Sequence, residues 1–203
     1  MKIRFILTLT GILLTSAFAR AAEPELTLEQ LQARFKTYNN VQSITAEFKH
    51  NKHMSALELD MKAKGSFKFI KSPKRDLVWR FEKPTHVELH VTETDIIETV
   101  GAGDRKSVQK FVLAEAPADK HIWRIIGPWI DVQPAQLMEN YRVMQKSNGG
   151  IRFEPKVEDK KLKAVDVYVG EGGQIKTVRL IEHTGDVLSV HFETAQFQYG
   201  ATP

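Results

Sequence analysis

The stretch from Leu57 to Pro84, LELDMKAKGSFKFIKSPKRDLVWRFEKP, constrains the fold more than any other part of the chain. Leu57, Leu59, Met61 and Ala63 alternate with Glu58, Asp60, Lys62 and Lys64, the period-2 pattern of a half-buried strand. Gly65 breaks that run. Phe67 and Phe69 then share a face of a second strand, and Leu77, Trp79 and Phe81 share a face of a third, opposite Val78, Arg80 and Glu82. Three adjacent strands with large apolar groups on one side predict an antiparallel sheet that needs a cover: a second sheet, a helix or a ligand.

The flanking chain supplies both helices and further strands. Thr27 and Gln30 fit a capping box, Leu26 and Leu31 the staple around it, and Leu28, Leu31, Phe35 and Tyr38 form one apolar stripe that Asn39-Asn40 stops. Strands are expected at Ile44–Lys49, His86–Val91, Asp95–Val100 and Ser107–Leu113, with Gly101–Asp104 closing a hairpin. The last third adds Ile151–Phe153, Val165–Val169, Ile175–Ile181 and Val187–Thr194, the final two joined by Thr184-Gly185-Asp186. From Ala114 to Met144 the pattern changes. Ala116-Pro117, Gly127-Pro128 and Gln133-Pro134 punctuate a cluster of Ile122, Trp123, Ile125, Ile126, Trp129 and Ile130, and Pro134 starts a short helix with Leu137, Met138 and Tyr141 on one side. That segment is either a crossover packed into the core or a movable cover over the sheet. The expected fold is mainly β (α+β): about eleven strands in a meandering sheet or barrel, with two or three helices.

Residues 1–21 are expected to be a secretory signal peptide. Lys2 and Arg4 precede an apolar run of about 14 residues, Phe5 to Phe18, too short to span a membrane, and small residues allow cleavage after Ala19 or Ala21. Residues 22–203 then form a single domain. The net charge of +4 falls to +2 without Lys2 and Arg4, and to +1 if Arg20 also leaves, which argues against a nucleic-acid partner. With no cysteine, the chain has no disulfide, no thiol nucleophile and no N-terminal cysteine for a lipid anchor. A soluble, monomeric protein of the periplasm is expected.

No motif for a phosphate, dinucleotide, zinc or serine-nucleophile site is present. His86, Glu88 and His90 share a strand face, but same-face neighbours lie roughly 6.5–7 Å apart, too far to hold one ion together. They read as solvated surface. No carboxylate pair stands out as acid and base, so no enzyme activity, metal or cofactor is expected. What the sequence holds in excess is apolar surface: Phe48, Phe67, Phe69, Trp79 and Phe81, with Leu57, Leu59, Met61, Leu77 and Leu89. These residues either fill an ordinary core or line a pocket under helices laid across the sheet.

K-S-P followed by L-V-W-R-F-E-K-P at Leu77–Pro84, then I-I-E-T-V-G, and later N-G-G-I-R-F-E-P-K at Asn148–Lys156, resemble the periplasmic outer-membrane lipoprotein carrier family, LolA. The resemblance covers most of the mature chain and implies an unclosed antiparallel β-barrel of about eleven strands around a hydrophobic cavity covered by helices. Such a protein takes acyl chains from an inner-membrane exporter and passes them to an outer-membrane acceptor. Phe48, Leu59, Met61, Phe67, Phe69, Leu77, Trp79, Phe81 and Leu89 would line the lipid site, and Leu28, Leu31, Phe35, Leu137, Met138 and Tyr141 would form the lid. The family's lid-holding Arg before Pro is Ser72 here, which leaves Lys71, Lys74 or Arg75 to take that part. The Ala114–Met144 segment also departs from the family, so the cargo is lipoprotein or another lipidated molecule. A structural protein with a filled core that docks through Trp123–Ile130, and an exported hydrolase, are the alternatives.

Overall fold

The computed structural model describes residues 23–71, 74–113, 115 and 132–200. The signal-peptide segment, Ser72 and the Trp123–Ile130 cluster lie outside them. Eleven strands form one antiparallel sheet: β1 (Val41–Met54), β2 (Leu59–Ile70), β3 (Asp76–Lys83), β4 (Val87–Val91), β5 (Asp95–Val100), β6 (Ser107–Val112), β7 (Tyr141–Gln145), β8 (Ile151–Pro155), β9 (Leu162–Val169), β10 (Ile175–Glu182) and β11 (Val187–Tyr199). Their order is β6-β5-β4-β3-β2-β1-β11-β10-β9-β8-β7, so two meanders join where the first strand pairs with the last. Among the described residues β6 and β7 stay unpaired with each other, and the sheet is unclosed. Among the described residues there are two α-helices, α1 (Leu28–Arg34) and α2 (Pro134–Asn140). The expected fold class is met: a mainly β chain built on an open eleven-stranded antiparallel sheet.

Local chemistry accounts for the elements. Thr27 closes the capping box of α1, accepting from the Gln30 amide at 3.2 Å while Gln30 Oε1 accepts from the Thr27 amide at 2.9 Å. A single 3-10 turn at Lys36–Tyr38 ends that segment ahead of β1. Pro134 stands at the first turn of α2. The turns at Gly149 and Gly185 both use positive φ, +83° and +88°, which glycine adopts without a Cβ penalty.

The strands differ from expectation in two places that offset each other in number. Gly65 does not end a strand: β2 runs through it, because a glycine there lets neighbouring chains close in. A Cβ at Gly65 would stand 1.8 Å from the Arg80 carbonyl oxygen and 3.0 Å from the Phe48 ring. Residues Tyr141–Gln145, in contrast, form a strand that went unread beside the proline-punctuated segment. Leu57 belongs to a 3-10 turn, Ser55–Leu57, and Glu58 after it is left-handed at φ +47°.

Opposed positions show how the inner face is assembled. Ala46, Phe67, Trp79 and Leu89 stand in one row across β1–β4, and Ile44, Phe69, Leu77, Val91, Ile96 and Phe111 in the next across β1–β6. On the other side of β1, His50 faces Val190, which continues to Val178, Val167 and Ile151. Leu31, Phe35, Tyr38 and Leu137 pack into the same buried cluster, so both helix segments cover this face.

One charge is buried on the opposite face. Asp166 is 1% exposed, with Arg152 Nε at 2.8 Å and Lys146 Nζ at 2.5 Å. Burial raises its pKa, but hydrogen bonds from Arg152 and Lys146 outweigh that effect and hold the carboxyl below its ordinary range.

Two substitutions test this packing. Gly65→Ala should destabilise the fold by about 2–4 kcal/mol through the clash with Arg80, measured by urea denaturation. Asp166→Asn should cost about 3 kcal/mol by leaving two cations without their partner. Because the native carboxyl has the lowered pKa, its contribution is complete above about pH 4 and is lost as pH falls; the wild type should therefore lose more stability than Asp166→Asn on acidification.

Candidate functional site: an aromatic inner face under two helices

The centre of the inner face is a cluster of rings from β1, β2, β3 and β11. Trp79 stacks on Phe67 at 5.4 Å with 15° between planes and lies 4.5 Å from Phe48. Phe48 and Phe81 meet edge-on at 5.3 Å in register with Gly65, which contributes no side chain between them. Phe192 completes the cluster, 5.3 Å from Phe67 and 6.4 Å from Trp79. Phe192 was missing from the expected site because only the pairing of β1 with β11 brings it there; its place on an apolar strand face was the one available signal.

The expected lining residues divide into three groups. Phe48, Phe67, Phe69, Leu77 and Trp79 are buried, and Phe81 and Leu89 are half-buried against the same core. Leu59 and Met61 are not part of it: they are 48% and 54% exposed, and Leu57 is 69% exposed. The reason is topological. The pairing of β2 with β3 ends at Lys64–Lys83, so Leu59–Ala63 extend past β3 and, among the described residues, pair with β1 alone. Period-2 alternation reports the facing of a strand, whereas burial depends on what stands over it.

The cover is likewise only partly as expected. Leu31, Phe35 and Leu137 are buried, and Met138 is half-buried against the core. Leu28, 39% exposed at the start of α1, is outside the buried stripe. Tyr141 lies in β7 rather than on α2, half-buried and edge-on to Phe153 at 6.2 Å. The α1 segment is tied down at both ends. Before it, the Leu26 amide donates to Val143 and the Gln145 amide to Pro24, both at 2.8 Å. After it, Thr37 donates to the Gly172 carbonyl at 2.9 Å, and the Tyr38 hydroxyl accepts from the Ile175 amide at 2.9 Å. Burial pushes the Tyr38 pKa up to about 12. These bonds fasten α1 to the β7–β10 half of the sheet.

Among the described residues beneath the cover, a void of about 20 Å³ is lined by Tyr38, Ile44, Ala46, Phe67, Phe192 and neighbours, against roughly 300 Å³ or more for a small-molecule pocket. A larger hollow of about 430 Å³ lies on the opposite face, among Thr45, Glu47, Ser66, Lys68, Arg80 and Gln196. Its hydroxyls, amide and charges stand beside Ala46, Phe67 and Val78 in the lining.

Three buried polar atoms have no hydrogen-bond partner among the described residues: Trp79 Nε1, His50 Nδ1 and Asn51 Oδ1. His50 faces inward, edge-on to Phe81 at 5.8 Å, and its pKa is lowered by burial and by the Lys52 charge. Two of the three residues read as surface, Glu88 and His90, lie in pairs. His90 meets Asp76 at 2.7 Å, and Arg80 holds Glu88 at 2.6 and 2.8 Å. Among the described residues no group of three potential ligands could hold a metal ion, and no helix is long and apolar enough to cross a membrane. Lys71 ends β2, its amide donating to the Gln42 carbonyl at 2.7 Å, while Lys74 and Arg75 precede β3.

No family model matches the chain, and no curated protein matches it. Solved structures give distant likenesses. A DUF1329 family protein from Desulfovibrio piger has a TM-score of 0.45 at 10% identity, covering 86% of this chain and 93% of its own. MucB, in its complex with MucA from Pseudomonas aeruginosa, gives 0.47 at 14%, covering 87% of this chain and 58% of its own. A LolA superfamily protein from Nitrosomonas europaea gives 0.39 at 7%, covering 88% and 96%. With scores below 0.5, the fold assignment stands on the strand order and register described above.

His50 should titrate below the ordinary imidazole value of about 6.5. The unfolded chain then binds its proton first, so His50's contribution to stability is complete above that value and is lost as pH falls. A titration of the His50 ring protons by NMR checks the direction.

Proposed function

We propose that this protein is a non-enzymatic carrier, acting in the periplasm, that shelters the acyl chains of a lipoprotein or similar lipidated molecule between an inner-membrane exporter and an outer-membrane acceptor. The observation that carries this reading is the aromatic cluster of Phe48, Phe67, Trp79, Phe81 and Phe192 on an unclosed sheet under two helices. Each methylene withdrawn from water is worth about 0.8 kcal/mol, so a long chain crosses an aqueous compartment only with such shelter. Cargo must part the aromatic cluster from its cover, and closure of that cover then competes with cargo and assists release. Since α1 is fastened to the β7–β10 half, the parting falls over the β1–β6 meander.

The same small void favours a second reading, a filled-core protein of the same compartment that docks to a partner through its surface. A fluorescent fatty-acid probe separates the two. The carrier should bind it saturably. Trp79→Glu should abolish binding, and Phe81→Glu, at a half-buried position, should weaken it at least tenfold while the protein stays folded. Absence of saturable binding to the wild type favours the docking protein, and turnover of the probe would make it an enzyme.

A further inference from the structure

We infer that the indole N–H of Trp79, with His50 beyond the Phe81 ring, anchors the carbonyl of an acyl ester or amide, so that the inner face recognises the linkage heading an acyl chain as well as the chain itself. This rests on the carrier reading. Trp79 is 4% exposed, and its Nε1 has no partner among the described residues. Buried indole N–H groups normally find an acceptor, because water no longer supplies one. Among the described residues the rings around it, Phe48, Phe67, Phe81 and Phe192, are hydrocarbon. The indole is a donor only, so whatever completes it must be an acceptor.

His50 supplies the second unpaired atom. The Phe81 ring stands between the two residues, 6.4 Å from Trp79 and 5.8 Å from His50. Along the inward face of β1 the order is Phe48, His50, Lys52, Met54, moving from the buried rings toward the tip of the β1–β2 hairpin. His50 thus lies where hydrocarbon surroundings give way to a polar, half-exposed end, and Trp79 lies two same-face positions deeper, in the row of Ala46 and Phe67. That arrangement matches an amphiphile whose chain lies among Phe67 and Phe192, whose carbonyl meets Trp79, and whose remaining linkage atoms meet His50. A neutral carbonyl suits the place better than a carboxylate, because a charge among these rings would be desolvated with one neutral donor to answer it. The empty protein carries an unmet donor, and bound carbonyl removes that penalty, which makes binding selective for acylated molecules over plain hydrocarbon.

The test uses the full chain with two probes: N-methyldodecanamide, which carries an amide carbonyl, and diphenylhexatriene, a hydrocarbon without one. Trp79→Phe keeps a ring in place and removes the donor. It should weaken the amide roughly tenfold and alter diphenylhexatriene binding less than twofold. In the wild type, the Trp79 indole proton, assigned by its loss in the variant, should move downfield with the amide and stay in place with diphenylhexatriene. Equal losses for both probes, or an indole proton indifferent to the amide, overturn the anchor and leave the carrier intact. A wild type that binds neither probe overturns both.

Discussion

The pairing of β1 with β11 is the contact on which the rest of this molecule depends. Each half of the chain makes a local meander, and neither half alone completes the inner face. Joined at β1, the two present continuous rows of apolar side chains, with Phe48 opposite Phe192 and His50 opposite Val190. The aromatic cluster exists because of that junction: Phe48, Phe67, Trp79 and Phe81 come from one meander and Phe192 from the other. Hydrophobic burial on this scale is non-directional, and the ladder of backbone bonds supplies the register that burial lacks.

Within that frame, a missing side chain has as much effect as the large ones. At Gly65 the sheet gives up a Cβ, and Phe48 and Phe81 close over the space. The result is an apolar face on which, among the described residues, about 20 Å³ is left over where Tyr38, Ile44 and Phe192 meet. The helix α1 is held over it by backbone and side-chain bonds to the β7–β10 half.

The sequence revealed the faces well and the depth of burial poorly. Thr27 and Gln30, Pro134, and the turn at Gly185 were legible because each has a local cause acting within a few residues. The inward direction of Phe67, Phe69, Leu77 and Trp79 followed from alternation. Leu59 and Met61 follow the same alternation yet lie outside the core, because β3 stops short of them. No local pattern encodes where a neighbouring strand ends. Gly65 misled for a related reason: a glycine that breaks a strand and one that admits a close neighbour look alike until the neighbour is known. Strand β7, five residues long and entered directly from α2, had too few alternations to declare itself beside a proline-rich segment. Phe192 and the unmet nitrogens of Trp79 and His50 depend on contacts across the junction, which spacing along the chain does not report.

The placement of β11 beside β1 also bears on how such a chain is born. Val187–Tyr199 leaves the ribosome after the ten other described strands. Until it does, the first strand lacks one neighbour along the length of their pairing. Loop-closure entropy makes such a distant pairing late and slow. The architecture therefore postpones its own commitment, because the two meanders can form in turn but cannot join until the eleventh strand has been made.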